Sequence, residues 1–206
     1  MFNAYKINKT TKNIVIMKKI SLFLVLVLAA LSVSAQTWVS DLGHSHLGFS
    51  IKHLAISTVT GNFKQFEIKA ITAKPDYSDA KIEVTAQISS INTDQEQRDT
   101  HLKSADFFDA TQFPTLNFKS TSVKKVKGNE YKLVGNLTMH GVTKPVELDL
   151  VFEGKVQNSM NKKDIAVFTI KGTLKRSDFG IGSKFPSAMV GDVVTLNATS
   201  EMSPAN

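Results

Sequence analysis

Apolar and polar residues alternate with a period of two along most of this chain, and no other feature of the sequence restricts the fold as strongly. Successive side chains of a β-strand point to opposite faces, so such a segment buries one face and leaves the other in water. Eight segments show the pattern, namely Leu47–Ile51, Phe63–Ala70, Ile82–Ile88, Thr115–Val123, Glu130–His140, Val146–Phe152, Asp164–Leu174 and Asp192–Ser200.

Eight amphipathic strands predict an all-β protein, and we expect them to close into an antiparallel barrel. Closure removes the exposed edges of an open sheet, and eight strands can enclose one small ligand. A two-sheet sandwich stays open as an alternative, because strand patterning does not separate the two architectures. One short helix is predicted over Gln95–Leu102, with Asp94 as its N-terminal cap.

Residues 1–35 have the features of an export signal. Two lysines follow Met17, Ile20–Leu31 is apolar apart from one serine, and the small residues at Val33–Ala35 provide a cleavage site. A bilayer-spanning helix needs about 20 apolar residues, which favours a cleaved signal over a transmembrane anchor. Because the signal begins at Met17, we interpret Met1–Ile16 as an extension from a start codon assigned too far upstream. A periplasmic or secreted protein, cut after Ala35, is expected.

The remaining chain, residues 36–206, is long enough for one domain with a substantial core. The signal segment carries five lysines and no acidic residue, so the remainder has 20 basic against 18 acidic residues. A nucleic-acid partner is therefore not expected, because such proteins present a basic stripe or domain. Cysteine is absent, which excludes disulfides and a cysteine-linked lipid anchor.

The histidines are the first candidates for chemistry. His44 and His46 lie two residues apart on an extended segment, so with His53 or His101 they could bind a metal ion. Their spacing matches no recognised metal motif, and we predict no metal and no cofactor. A lipid-ester hydrolase would need His53 or His101 as the base and a serine such as Ser45 as the nucleophile. No nucleophile motif is present, so we predict a protein that is not an enzyme.

Three other groups could contact a ligand. His53 continues the apolar face of its strand, so it should point into the barrel, where it bonds either a ligand or a core serine or main-chain carbonyl. Arg98 has the planar fork that suits a diphosphate or carboxylate, but an Arg-Asp pair with Asp99 is slightly better explained as a brace for its loop. Arg176 precedes a glycine-containing segment that is no phosphate-binding loop, because no Gly-Lys-Ser/Thr follows.

Several short motifs stand out along the chain, namely His44-Ser45, Phe49–Leu54, Gly61–Phe63, Ser90–Thr93, Arg98–Phe108, Phe113-Pro114, Gly135–Val146 and Arg176–Gly180. In this order they resemble the YceI-like, polyisoprenoid-binding family. The resemblance covers nearly all of Trp38–Ser200, and its most specific parts are Arg98–Phe108 and Leu137–Val146.

This resemblance implies a lipocalin-like barrel whose apolar channel binds a long isoprenoid, such as a polyprenyl diphosphate or a quinone, or a fatty amphiphile. Transport or sequestration of such a lipid is the expected function, and a metal-binding stress-response protein or a hydrolase is the alternative. A homodimer is left open. The residues expected to contact the ligand are His44, Phe49, Ile51, His53, Ile82, Val84, Arg98, His101, Phe108, Phe118, Leu137, Phe168, Arg176 and Phe179.

Overall fold

The structure is a computed structural model that describes residues 35–205. The export signal predicted for residues 1–35 therefore lies, except for Ala35, outside the described residues. Between residues 35 and 205, no helix is long and apolar enough to cross a membrane.

The described residues form one antiparallel sheet of eleven strand segments. The segments are β1 (Gln36–Ser40), β2 (His46–His53), β3 (Ser57–Phe63), β4 (Phe66–Thr72), β5 (Lys81–Gln87), β6 (Ile91–Asn92), β7 (Thr115–Lys127), β8 (Glu130–Met139), β9 (Val142–Gln157), β10 (Asp164–Lys175) and β11 (Val190–Pro204).

The sheet closes on itself through β1, which pairs with two strands. Trp38 lies opposite Ala70 of β4 on one side and opposite Pro204 of β11 on the other. The ring therefore runs β1-β4-β5-β7-β8-β9-β10-β11 and returns to β1, while β2, β3 and β6 extend it from β11. The predicted eight-stranded closed barrel is confirmed, and the sandwich alternative is wrong, because two separate sheets would leave free edges.

The segment predicted as one strand over Phe63–Ala70 is two strands. β3 ends at Phe63 and β4 begins at Phe66, and both phenylalanines are buried. Residues three apart cannot share a face in a regular strand, whose period is two. The chain therefore turns at Lys64 and Gln65, whose N–H groups donate to the carbonyl and hydroxyl oxygens of Ser90 at 3.0 Å each.

The predicted helix is present and shifted by one residue. α1 covers Glu96–Lys103, and its cap is Gln95, whose side-chain oxygen accepts a hydrogen bond from the Arg98 N–H. Asp94 is not the cap, because its backbone is left-handed with φ at 59°. α1 lies between β6 and β7, where it borders the interior of the barrel.

Candidate functional site

The barrel encloses a cavity of about 400 Å³ whose wall is almost entirely apolar. The wall is apolar because the inward residues of the alternating strands all contribute to it. Phe49 and Ile51 come from β2, Val84 from β5, Phe118 from β7 and Leu137 from β8. These five residues were expected to line a channel, and the structure places all five on the cavity wall.

A smaller cavity of about 30 Å³ adjoins the main one, and Ile68 and Ile170 belong to the walls of both. Ile82 and Phe168 line the smaller cavity and not the main one. Both face inward, as the alternation predicts, but they lie at a different level of the barrel. The alternation of apolar and polar residues determines which face of the sheet a side chain occupies. It contains no information about how far along the barrel axis that side chain lies.

An aromatic cluster closes the barrel at this level. The Tyr77 ring lies 6.0 Å from that of Trp38, 5.0 Å from that of Phe152 and 5.1 Å from that of Phe168, measured between centroids. Burial raises the pKa of the Tyr77 hydroxyl. Tyr77 belongs to the segment 73–80 between β4 and β5, and this segment forms the base of the barrel.

Hydrogen bonds hold the base segment in place. The Tyr131 hydroxyl donates to the Asp76 carbonyl at 2.7 Å. The Asp79 carboxylate accepts from the Thr72 hydroxyl at 2.5 Å and from the Ala73 N–H at 3.0 Å. The bond from Thr72 is the main reason why the pKa of Asp79 lies below its usual value.

Polar side chains reach the cavity near the end of β2 and along α1. His53, Arg98 and His101 all line it. His53 was expected to point into the barrel, and it reaches the cavity wall only at the exposed rim. Its partner is Ser57, whose hydroxyl donates to the His53 carbonyl at 3.1 Å and lies 3.5 Å from its Nδ1. We refer to this end of the barrel as the mouth.

Arg98 is half-buried at the mouth, and its guanidinium is only partly used by the protein. Its Nε donates to the Thr93 hydroxyl at 2.7 Å, and one terminal nitrogen donates to the Thr93 carbonyl at 2.6 Å. Asp99 accepts from the same threonine, through the hydroxyl at 2.5 Å and the N–H at 2.8 Å. Arg98 thus braces its loop, as the sequence slightly favoured, but through Thr93. Within residues 35–205 its three other N–H groups have no hydrogen-bond partner.

His101 joins α1 to the loop that follows β10. Its Nε2 lies 3.1 Å from the Asp106 carboxylate, which also accepts a hydrogen bond from Lys184 at 2.6 Å. The Lys184 bond, followed by the His101 bond, lowers the pKa of Asp106. The His101 ring packs edge-on against Phe107 and Phe185 at 5.0 and 5.6 Å.

Arg176 lines the cavity, but every N–H group of its guanidinium is hydrogen-bonded to the protein itself. Arg176 is only 5% exposed. The five N–H groups of its guanidinium donate to five main-chain carbonyls at 2.6 to 3.1 Å. The acceptors are Ile181, Gly182, Phe185, Val190 and Gly191. A head-group role expected for Arg176 does not fit this geometry, because no donor is left for a ligand.

Two further expected contacts lie off the cavity wall, whereas Phe108 lies on it. Phe179 is buried in the core, and its carbonyl accepts a hydrogen bond from His140 Nδ1 at 3.0 Å. His44 is exposed and pairs with the Asp41 carboxylate at 3.0 Å, which raises the pKa of His44 and lowers that of Asp41. Neither residue contacts the cavity in this structure.

The histidines considered for a metal site do not converge. His46 and His53 occupy opposite ends of β2, roughly 23 Å apart at about 3.3 Å per residue. In the described part of the chain, a group that does converge is Asp41, His44 and Glu201, with ligand atoms within 4.8 Å of one another. This group lies outside the cavity wall, and the sequence did not indicate it.

Ser45 and His53, one serine–histidine pair of the hydrolase alternative, are also separated. Ser45 precedes β2, roughly 26 Å along the strand from His53 at about 3.3 Å per residue. Its hydroxyl donates to the main-chain carbonyl of Glu201 at 3.3 Å and accepts from the Glu201 N–H at 3.1 Å. The structure therefore does not support Ser45 as a nucleophile activated by His53.

The sequence missed several residues of the mouth. Lys52, Thr93, Phe185 and Met189 all line the cavity. Lys52 lies on the polar side of the β2 alternation and reaches the cavity only because it is near the strand end. Phe185 and Met189 lie in a loop without periodicity. The Ser90–Thr93 segment, noted for its family resemblance, was the available signal for Thr93.

A family model described as YceI-like domain matches residues 38–202, which cover all but the outermost residues of the barrel. The chain belongs to the YceI-like family. Among sequence relatives, a UPF0312 protein of Staphylococcus aureus strain N315 is 37% identical over 167 residues, covering 79% of this chain and 95% of the relative.

Solved structures agree with this YceI-like assignment. A Campylobacter jejuni YCEI protein is 34% identical and superposes with a TM-score of 0.69, covering 81% of this chain and 96% of that one. Burkholderia cenocepacia BcnA, 21% identical, has a TM-score of 0.71 and covers 79% and 98%. A polyisoprenoid binding domain from Saccharophagus degradans, 11% identical, has a TM-score of 0.60 and covers 82% and 99%. At these lower identities the likeness is one of fold.

Proposed function

We propose that this protein binds a long isoprenoid or a similar amphiphilic lipid in the barrel cavity and carries it without chemical conversion. The observation that carries the proposal is the cavity of about 400 Å³ with an almost wholly apolar wall. Folded proteins normally fill their interiors to a density that leaves few voids larger than a water molecule. An apolar space of this size in the centre of a barrel is suited to an apolar guest.

Burial of an apolar tail supplies ample free energy for such binding. Each buried methylene contributes ~0.8 kcal/mol, so twenty such groups give on the order of 15 kcal/mol before the entropic costs of association. The tail then dominates the affinity, and polar groups at the mouth determine which head group is preferred.

Arg98 is the polar group best placed to select a head group. Among the described residues, three of its N–H groups have no hydrogen-bond partner, and at the wall of the cavity they suit a diphosphate or another anionic head group. The ligand class is supported by the Saccharophagus degradans neighbour, which is described as a polyisoprenoid binding domain. The export signal predicted for residues 1–35 supports a periplasmic or extracellular location.

Lipid extraction and native mass spectrometry of protein purified gently from its own host test this function. We expect a bound apolar molecule, and delipidated protein should take up a polyprenol from a dilute ethanolic stock. Val84→Trp places a large ring in the cavity and should abolish uptake. Val156→Trp is the matched control, because Val156 is exposed on β9 outside the cavity. Absence of lipid in both assays, or full uptake by a folded Val84→Trp variant, would refute the proposal.

A further inference from the structure

The mouth of the cavity is bordered by two exposed loops that carry no charge along seven residues. The loops are Leu54–Ile56, between β2 and β3, and Pro186–Met189, before β11, and we call them the apolar rim. All seven residues are exposed. Leu54 is 52%, Ile56 84% and Met189 47% exposed. Large apolar side chains grouped at one opening commonly mark an interaction surface.

The two loops form one surface that is continuous with the cavity. The Leu54 N–H donates to the Met189 carbonyl at 2.9 Å, and Val190 lies opposite His53 in the β11–β2 pairing. His53, Met189 and Val190 themselves line the cavity. A lipid tail leaving the cavity past these residues would therefore meet the apolar rim.

The turn that presents Leu54 has an unfavourable sequence for its shape. Leu54 and Ala55 have φ values of 50° and 60°, and the Ile56 N–H donates to the His53 carbonyl at 3.3 Å. Two left-handed residues at the centre of a hairpin turn are typical of type I′, for which Asn-Gly is strongly preferred. A bulky residue in this region is unusual and strained. The chain thus keeps an exposed leucine where asparagine would stabilise the fold.

The charges beside the apolar rim favour an anionic partner. The stretches 52–58 and 182–191 contain two lysines and no acidic residue. Lys52 donates to the Thr58 hydroxyl at 3.0 Å, and no carboxylate within residues 35–205 pairs with it. Lys184 is paired with Asp106, so these two charges cancel. Asp192, the residue after the second stretch, accepts hydrogen bonds from Ser177 and is offset by Arg176 and Lys175.

We propose that the apolar rim docks the protein on an anionic bilayer surface, so that a lipid passes between membrane and cavity without crossing water. The inference rests on the proposed lipid-binding function. A lipid that leaves the cavity through water must expose the methylene groups of its tail, and the free-energy cost of this exposure slows its transfer. Insertion of Leu54 and Ile56 among the membrane lipids would let the tail pass without that exposure. Lys52 would lie beside the lipid head groups, where it is attracted by negative charge.

Flotation with vesicles of phosphatidylcholine and phosphatidylglycerol tests the docking. The wild-type protein should float with these vesicles and less with pure phosphatidylcholine. The double variant Leu54→Asn/Ala55→Gly and the single variant Ile56→Ser should each lower partitioning by about tenfold or more, the order expected for one large apolar side chain. The double variant should melt at the same or a higher temperature than the wild type, because Asn-Gly suits the turn.

Met160→Ser is the matched control. Met160 is 92% exposed and lies in the hairpin between β9 and β10. This hairpin precedes Asp164, at the end of β10 that is remote from the mouth, whereas Lys175 lies at the end near the mouth. This variant should float like the wild type. Failure of the wild type to float, unchanged flotation of both rim variants, or a wild-type dimer that Leu54→Asn/Ala55→Gly dissociates in the ultracentrifuge would each overturn the docking proposal.

Uptake of polyprenol from ethanolic stock separates this proposal from the proposed function. Leu54 and Ile56 do not line the cavity, so both rim variants should take up polyprenol like the wild type. Normal uptake with unaltered vesicle binding would overturn the docking alone. Vesicle binding that depends on the rim, in a protein that takes up no lipid, would instead refute the carrier function.

Discussion

Replacing Arg176 with leucine should strongly destabilise the barrel, because its guanidinium satisfies five main-chain carbonyls at once. The bonds to Ile181 and Gly182 are buried, and water cannot replace them. An unsatisfied buried acceptor costs about 1–3 kcal/mol, so these two carbonyls account for about 2–6 kcal/mol. The other three acceptors are partly accessible and add less, and removing a buried charge recovers part of the loss.

We therefore expect Arg176→Leu to lower the free energy of unfolding by about 3–5 kcal/mol. For a domain of this size that corresponds to a melting temperature lower by roughly 6–20 °C. Urea titration followed by fluorescence measures this directly, because Trp38 is the one tryptophan of the chain and is buried in the base of the barrel.

Arg98→Leu is the matched comparison, because Arg98 donates two hydrogen bonds to Thr93 at a half-buried position. Its loss should cost about 1–2 kcal/mol. A cost below about 1 kcal/mol for Arg176→Leu, or equal costs for the two variants, would refute the view that Arg176 is a structural brace.

Three further outcomes follow from the structure. Arg98→Ala should weaken binding of a polyprenyl diphosphate about tenfold more than binding of a polyprenol with the same tail, measured by fluorescence competition; equal losses with a lower melting temperature would show a brace alone. Asp79→Asn should be less stable than the wild type at neutral pH. Since the folded pKa of Asp79 is lowered, the carboxylate stabilises the fold above its unfolded pKa, and the difference in melting temperature should shrink below about pH 4; a pH-independent difference contradicts this. Gly135→Ala should lower the free energy of unfolding, measured by urea titration, by about 1–3 kcal/mol and should reduce lipid uptake. The added Cβ would lie 2.5 Å from the Lys119 carbonyl and collide with the cavity-lining Phe118. An unchanged stability would show that β7 and β8 move apart at little cost.

The alternation of residues was sufficient to predict an all-β fold and its inward faces, whereas the preference for a barrel over a sandwich came from the cost of exposed strand edges. Phe49, Val84 and Phe118 line the cavity. Successive side chains of a strand point to opposite faces, so these apolar residues can be buried only if their face points into the barrel. The same rule could not separate these from Phe168, which lies in the base of the barrel. Depth depends on strand register and on the long connection over residues 73–80, neither of which the period contains.

Polar residues were harder to assign than apolar ones. Arg98 and Arg176 have the same side chain and both reach the cavity wall. Within the described part of the chain, Arg98 keeps three N–H groups without a hydrogen-bond partner and Arg176 keeps none. The difference arises from the path of the loop after Arg176, which turns its carbonyls inward at Ile181 and Gly182. A loop without periodicity gives no sequence signal for that path.

The closed base limits how far a ligand can enter the barrel. Under the proposed function, Tyr77 and its aromatic neighbours would stop an entering tail at a fixed distance from the mouth. A tail of matching length would then fill the cavity and leave its head group beside Arg98. A shorter tail would draw the head group below the guanidinium or leave empty space beneath it. A longer tail would have to fold back or protrude into solvent. Chain length would then be a criterion of selection, and a homologous series of polyprenols should show an optimum in affinity rather than a steady rise.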